Sequence, residues 1–266
     1  MPTDNLYKAI RYIADIIQIS EARGLLLEVS TDFEEFRKVR MAQSDRSTLY
    51  PMYDVACTYI DSSNGFWIKG VDENGELIHT QAMRLLDLSG TTLADHFRLH
   101  RQKYMTPGNT DDPTQYDYSP TPACQKISGR VCYHGELWLK EDDGKRFRGT
   151  GLTTILPRMA LALSLMEWSP DFVFGFMYPH AACRGLAARE GYMHMEPGFW
   201  HAPGSPESFA EWLVWMARED LEHLMRFAPG ELYQQLEAQR SKKTEKSSEL
   251  HIAGREWHRP QNAAMS

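Results

Sequence analysis

The 266-residue sequence gathers two glycines and three cations in Lys145-Arg146-Phe147-Arg148-Gly149-Thr150-Gly151, where strand character gives way to helix character. Glycines at such a handover leave backbone N–H groups open at the positive end of a helix dipole, which makes a cradle for an anion. The cations matter more because the chain carries a formal charge of −7. A pyrophosphate is the kind of group such a loop holds. Glycines placed for steric reasons and basic residues on a solvated face would look the same. The segment lacks the Gly-Lys-Ser/Thr ending of a P-loop and the Gly-x-Gly-x-x-Gly spacing of a dinucleotide fold, so nucleotide hydrolysis and hydride transfer are disfavoured.

Arg-x-x-Gly-x-Gly, read at residues 146, 149 and 151, resembles the Gln/Arg-x-x-Gly-x-Gly/Ala signature of the GNAT acyltransferases. Downstream, His180-Ala-Ala-Cys-Arg-Gly-Leu-Ala-Ala-Arg-Glu-Gly-Tyr192 is similar to that family's Asn-x-x-Ala-x-x-Leu-Tyr-x-x-x-Gly-Phe, with Leu186, Gly191 and Tyr192 matching. His180 replaces Asn, Cys183 replaces Ala, and Ala187 stands where a tyrosine is frequent. The resemblance is good over about a quarter of the chain and looser over another half, from Leu25 to Gly198. It implies an α/β fold with a mixed, centrally splayed β-sheet flanked by helices. It also implies acyl-CoA or acetyl-CoA as co-substrate without a metal, docked on Arg146, Phe147, Arg148, Gly149, Thr150, Gly151, Leu152 and Thr153. The implied acceptor is a small-molecule or peptide amine.

Acylating an amine requires a proton to leave the nitrogen as it attacks the thioester. Glu136, in His134-Gly-Glu-Leu-Trp-Leu139, stands where related enzymes often keep a base, and burial would push its carboxyl toward neutrality. An outward-facing residue of an alternating strand is the competing reading. His134, two residues away, should share its strand face and could be base or orienting partner. Because Ala187 has no hydroxyl, Tyr192 or Tyr178 is the candidate to protonate the departing thiolate, against an ordinary core or rim aromatic. A basic Lys145 to Arg148 segment would equally dock acyl carrier protein, as in acyl-homoserine lactone or N-acyl amino acid synthases. A non-catalytic acyl-CoA-binding module is the third reading.

His96 and His100 share a helix face, but without a Glu after the first His they do not make a metal site. Cys183, three residues after His180, lacks the third group of an activated nucleophile. The four cysteines form no Cys-x-x-Cys pair, which fits a reducing, cytoplasmic setting. The acidic balance argues against nucleic acid as a partner, and no apolar run is long enough for a membrane span.

The elements expected to position these groups begin with an amphipathic helix over 1–24, striped by Leu6, Ile10, Ile13 and Ile17. A strand at Leu25–Val29 precedes a helix opened by a Thr31/Glu34 capping box. Asp72-Glu-Asn-Gly75 predicts a hairpin. An acyltransferase domain over 25–205 would then carry a surface excursion or lid at about 89–127, a strand from Gly129 and a helix from Gly151. A second strand at Phe172–Met177 and a helix at Ala181–Arg189 would follow. Phe209, Leu213, Met216, Leu221 and Leu224 suggest a helical extension over 206–238, and 239–266 reads as a flexible tail. The aromatics at Phe199, Trp200, Trp212 and Trp215 could seat an acyl chain or a homodimer partner, or simply be core.

Overall fold

The computed structural model describes residues 3–44, 46–105, 115–140, 147, 150–201 and 208–239. Eight strands form one sheet in the order β1-β2-β3-β5-β6-β8-β7-β4. They are β1 (Leu25–Ser30), β2 (Gly65–Asp72), β3 (Leu77–Leu88), β4 (Asp117–Ser119), β5 (Gly129–Leu139), β6 (Phe172–Met177), β7 (His194–His201) and β8 (Ser208–Ala217). Every neighbouring pair is antiparallel except β5 and β6. The sheet is thus mixed, with helices on both faces, as the resemblance implied.

One face carries α1 (Thr3–Glu21), α4 (Leu152–Trp168), α6 (Leu186–Glu190) and α7 (Arg218–Leu224), packed over Ile68, Met83, Cys132, Val173 and Met216. The other carries α2 (Phe33–Met41) and α3 (Leu93–His100) over Trp67, Val131, Tyr133 and Phe174. Residues alternate between these two cores along each strand, because successive side chains of a strand point to opposite faces. The short helix α5 (Pro179–Cys183) stops before Gly185, whose φ of +73° breaks the single helix expected over Ala181–Arg189.

The Asp72–Gly75 hairpin forms as its letters demand: Gly75 has a φ of +77°, and Asp72 Oδ1 accepts from the N–H groups of Asn74 and Glu76. Three local readings shift. Helix α1 buries Ala9, Tyr12 and Ile16 and leaves Leu6 and Ile10 exposed, so the isoleucine stripe flanks the contact rather than making it. Helix α2 is capped by Asp32, which accepts from Glu35 N–H at 2.9 Å, one residue along from the expected box. The expected helix over 209–217 is the strand β8, inserted between β6 and β7, and helical structure resumes only at Arg218, with a further helix over 229–239. Phe209, Leu213 and Met216 fit a helical period by chance; Trp212-Leu-Val-Trp-Met216 is the continuous apolar run of a strand covered on both faces.

The segment over 89–127 is core-forming where it is described. Phe97 meets the rings of Tyr104, Tyr118, Phe174 and Phe176 at 4.9–5.7 Å, and β4 extends the sheet edge beside β7. A surface excursion could not bury those aromatics. The expected tail lies outside the described residues from 240 onward.

Candidate active site

Strands β5 and β6 pair over three positions only, Val131↔Phe172, Cys132↔Val173 and Tyr133↔Phe174. Both strands continue beyond that point, β5 to Leu139 beside β3 and β6 to Met177 beside β8, without pairing to each other. The gap between them opens into a cavity of about 270 Å³, lined by the two strands and by side chains from α6, β8 and the loop after α2. A sheet that parts this way leaves backbone N–H and C=O groups without ladder partners along the gap, ready for an amide-bearing ligand.

A bulge in β5 shapes the cavity wall. The β3–β5 register shifts between Thr80 and Ala82, so Gln81 faces both Glu136 and Leu137, and Glu136 takes a φ of +55°. Left-handed backbone costs a non-glycine residue of order 1 kcal/mol or more. Here it is held by Arg46, which donates to the Glu136 carbonyl and to Thr80, and by Thr80, which donates to the same carbonyl. The bulge also corrects the expectation that His134 and Glu136 share a face. His134 points to the α4 side; Glu136 is turned to the α2 side.

Glu136 is buried, yet it is not alone. Its Oε2 receives Arg40 Nε at 2.6 Å and Arg46 Nη2 at 3.1 Å, and its Oε1 receives the Tyr50 N–H at 3.4 Å. Arg40 is as deeply buried as its partner, and the Arg46 guanidinium also lies over the Trp138 ring at 5.3 Å. A carboxylate with its oxygens so occupied is an anchor joining α2, the following loop and the bulge.

His134 belongs to a defined chain. Gln81 Nε2 donates to Leu156 O at 2.8 Å, which leaves Gln81 Oε1 to accept from His134 Nε2–H at 3.0 Å. His134 Nδ1 is therefore an acceptor, and it takes the Tyr192 hydroxyl at 3.0 Å. Burial, with a smaller contribution from His79, lowers the His134 pKa to about 3, so the ring is neutral. Burial raises the Tyr192 pKa well above its usual value, so the hydroxyl keeps its proton beside the cavity. Tyr178, the alternative hydroxyl, is exposed at the start of α5 and bonds to Tyr50.

Two carboxyls absent from the sequence-level candidates line the same cavity. Glu190, at the end of α6, is 4% exposed and has neither a hydrogen-bond nor an ion-pair partner among the described residues; burial raises its pKa to about 8. Glu211, on β8, accepts from Trp200 Nε1 at 2.8 Å, and burial raises its pKa to about 7. Arg-Glu-Gly at a helix end reads as solvent-facing, so Glu190 carried no signal. Glu211 carried one: a single acid beginning the apolar run Trp212–Met216 has to be satisfied somewhere.

The proposed cradle is only partly described, because Arg146, Arg148 and Gly149 lie outside the described residues. Phe147 and Leu152 are core side chains packed with Leu25, Ile78 and Leu156. Thr150 Oγ1 donates to Phe147 O at 2.7 Å, and Gly151, with a φ of +84°, starts α4 without a side-chain cap. Thr153 is exposed on the first turn. A side chain at Gly151 would meet Tyr233 and Leu236 of the 229–239 helix at 3.2 and 3.7 Å.

Among the described residues no three metal-ligating side chains cluster, and no helix is long and apolar enough to cross a membrane. No protein-family model and no curated protein matches the sequence. Solved structures do. The aminoglycoside acetyltransferase AAC(6')-Ib in complex with coenzyme A and kanamycin is 13% identical, over 75% of this chain and 98% of that one, with a TM-score of 0.38. The same enzyme in complex with acetyl-CoA is 14% identical over 75% and 96%, with a TM-score of 0.39. A dodecameric spermidine N-acetyltransferase from Vibrio cholerae is 9% identical over 74% and 95%, with a TM-score of 0.41. All three are acetyltransferases by name.

Proposed function

We propose that this chain is an N-acyltransferase that moves an acyl group from acyl-CoA to an amine within the gap between β5 and β6. The observation that carries the reading is the three-residue parallel pairing that ends in a cavity walled by strand backbone, tyrosine hydroxyls and desolvated carboxyls. A pantetheine arm is a chain of amides, and the unpaired edges of β5 and β6 offer it the hydrogen bonds of a missing strand. The pyrophosphate would rest on the α4 N-terminus at Gly151 to Thr153, with Arg146, Arg148 and Gly149 completing the cradle.

In the reaction the neutral amine attacks the thioester carbonyl, a C–N bond forms, and the C–S bond breaks. A backbone N–H of β5 would meet the oxyanion. The nitrogen must lose a proton, and a carboxyl titrating near neutrality serves that step better than an ion-paired one. Glu136 would then act by holding the bulge, with base duty falling elsewhere in the cavity. To protonate the leaving sulfur, the Tyr192 hydroxyl would have to turn its one proton away from His134 Nδ1 and toward the cavity. The acyl carrier protein alternative depends on Lys145 to Arg148, of which only Phe147 is described.

Calorimetry with acetyl-CoA tests the reading directly. The wild-type chain should bind it, and Thr153→Glu, on the exposed first turn of α4, should weaken binding at least tenfold while the circular dichroism spectrum stays native. A wild-type chain that does not bind acetyl-CoA sinks the proposal. Turnover is to be read as free thiol released with a panel of primary amines, with product mass confirming the transferred acyl group.

A further inference from the structure

We propose that the end of the cavity beside β8 is a subsite for an organic ammonium cation, held by the Glu211 carboxylate against a wall of tyrosine and phenylalanine rings. It deepens the acyltransferase reading and rests on it in one respect, that the cation is the acceptor.

Three observations carry the subsite. The first is position: β6 ends its pairing with β8 at Met177↔Trp212, and Glu211 is the next residue toward the open end. The second is what faces Glu211. Trp200 on β7 supplies its hydrogen bond, Tyr118 on β4 and Tyr133 on β5 lie within its electrostatic reach, and Tyr50, tied to Tyr178, closes the side toward α2. Phe176 stands among them, 6.2 Å from both Trp200 and Tyr133. The third is what is missing. No ion pair to Glu211 exists among the described residues, while the nearby guanidiniums of Arg40 and Arg46 both bind Glu136.

A carboxyl desolvated beside these rings, with no cation of its own among the described residues, is an incomplete arrangement. A cation completes it, since ring faces attract positive charge and a desolvated carboxylate gains from pairing. Glu190, buried, without a partner among the described residues and lining the same cavity from α6, adds a second acid that a cation would draw toward ionisation. The arrangement also suits the chemistry: a carboxyl that pairs with an ammonium ion can accept its proton and release a neutral amine toward the thioester.

Choline and its uncharged isostere 3,3-dimethyl-1-butanol are the probes, because neither binding event requires acyl transfer. Titrating the full chain by tryptophan fluorescence should show choline binding at least tenfold more tightly than the alcohol at pH 8. Its affinity should fall several-fold as pH drops through about 7, as protonation of Glu211 requires. Glu211→Gln should lose both the preference and the pH step. Glu190→Gln should keep the step near 7; loss of the step there, with Glu211→Gln unaffected, overturns the role given to Glu211. Equal binding of choline and the alcohol by the wild-type chain overturns the subsite without requiring any variant to fold. Acetyl-CoA binding, measured in parallel, separates the two ideas: acetyl-CoA binding without choline preference removes the subsite alone, and choline preference without acetyl-CoA binding removes the acyltransferase reading alone.

Discussion

Glu136 and Glu190 are both buried carboxyls on one cavity, and they differ in what surrounds them. Glu136 sits on a sheet strand, where a bulge turns it toward two guanidiniums that α2 and its following loop deliver. Glu190 ends a short helix and has no hydrogen-bond or ion-pair partner among the described residues, the Arg189 charge opposing its desolvation only weakly. Glu136 is met by two guanidiniums, while burial leaves Glu190 holding its proton. Burial by itself therefore identifies neither an anchor nor a reactive group; the partners decide.

The largest effect should come from breaking the anchored side. Arg40→Met leaves Glu136 buried with half its compensation and should cost about 3–5 kcal/mol of stability in urea denaturation, with the double variant Arg40→Met/Glu136→Leu recovering part of it. A single-variant cost below about 1 kcal/mol would show that Arg46 alone suffices and would dissolve the contrast.

On the reactive side, Tyr192→Phe should lower kcat about 100-fold with little change in acetyl-CoA affinity, as expected of a lost proton donor. Loss of affinity with kcat unchanged would make Tyr192 a binding group instead.

The contrast should also appear in stability against pH. Glu190 titrates at about 8 in the fold, against an ordinary value of 4.5. Between those values the folded chain keeps a proton that the unfolded chain has released, so stability contributed by this group falls as pH rises from about 4.5 through about 8. In Glu190→Gln the melting temperature should decline less across that window. An unchanged decline would mean that Glu190 is not desolvated in the fold.

The smallest effect is expected at Trp138. Replacing it by Leu removes the ring under Arg46 and should cost about 0.5–1 kcal/mol, checked by the same urea titration.

Much of the scaffold was legible in the letters. The Asn-Gly hairpin, the glycine-marked start of α4 and the succession β5-α4-β6 follow from local rules of turn chemistry and period, which act within a few residues. The strand β8 was not legible, because a run that is apolar on every side satisfies a helical period as well as a strand's; only its place between β6 and β7 settles the matter. The 89–127 segment misread for a related reason. Its Pro, Asp and Tyr content looks like surface, and its burial comes from rings contributed by β6 and β7.

The same division holds at the site. His134, Glu136 and Tyr192, the candidates read from the sequence, all line the cavity. Their duties depend on neighbours distant in the chain. Arg40 and Arg46 meet Glu136 from 96 and 90 residues away, Gln81 meets His134 across 53, and Tyr192 meets it across 58. What the sequence alone determined is the set of local turns, strand and helix starts and the chemical types available. What tertiary structure decided is which buried acid is paired with guanidiniums and which has no partner among the described residues, because charge compensation and desolvation depend on through-space neighbours that no local pattern records.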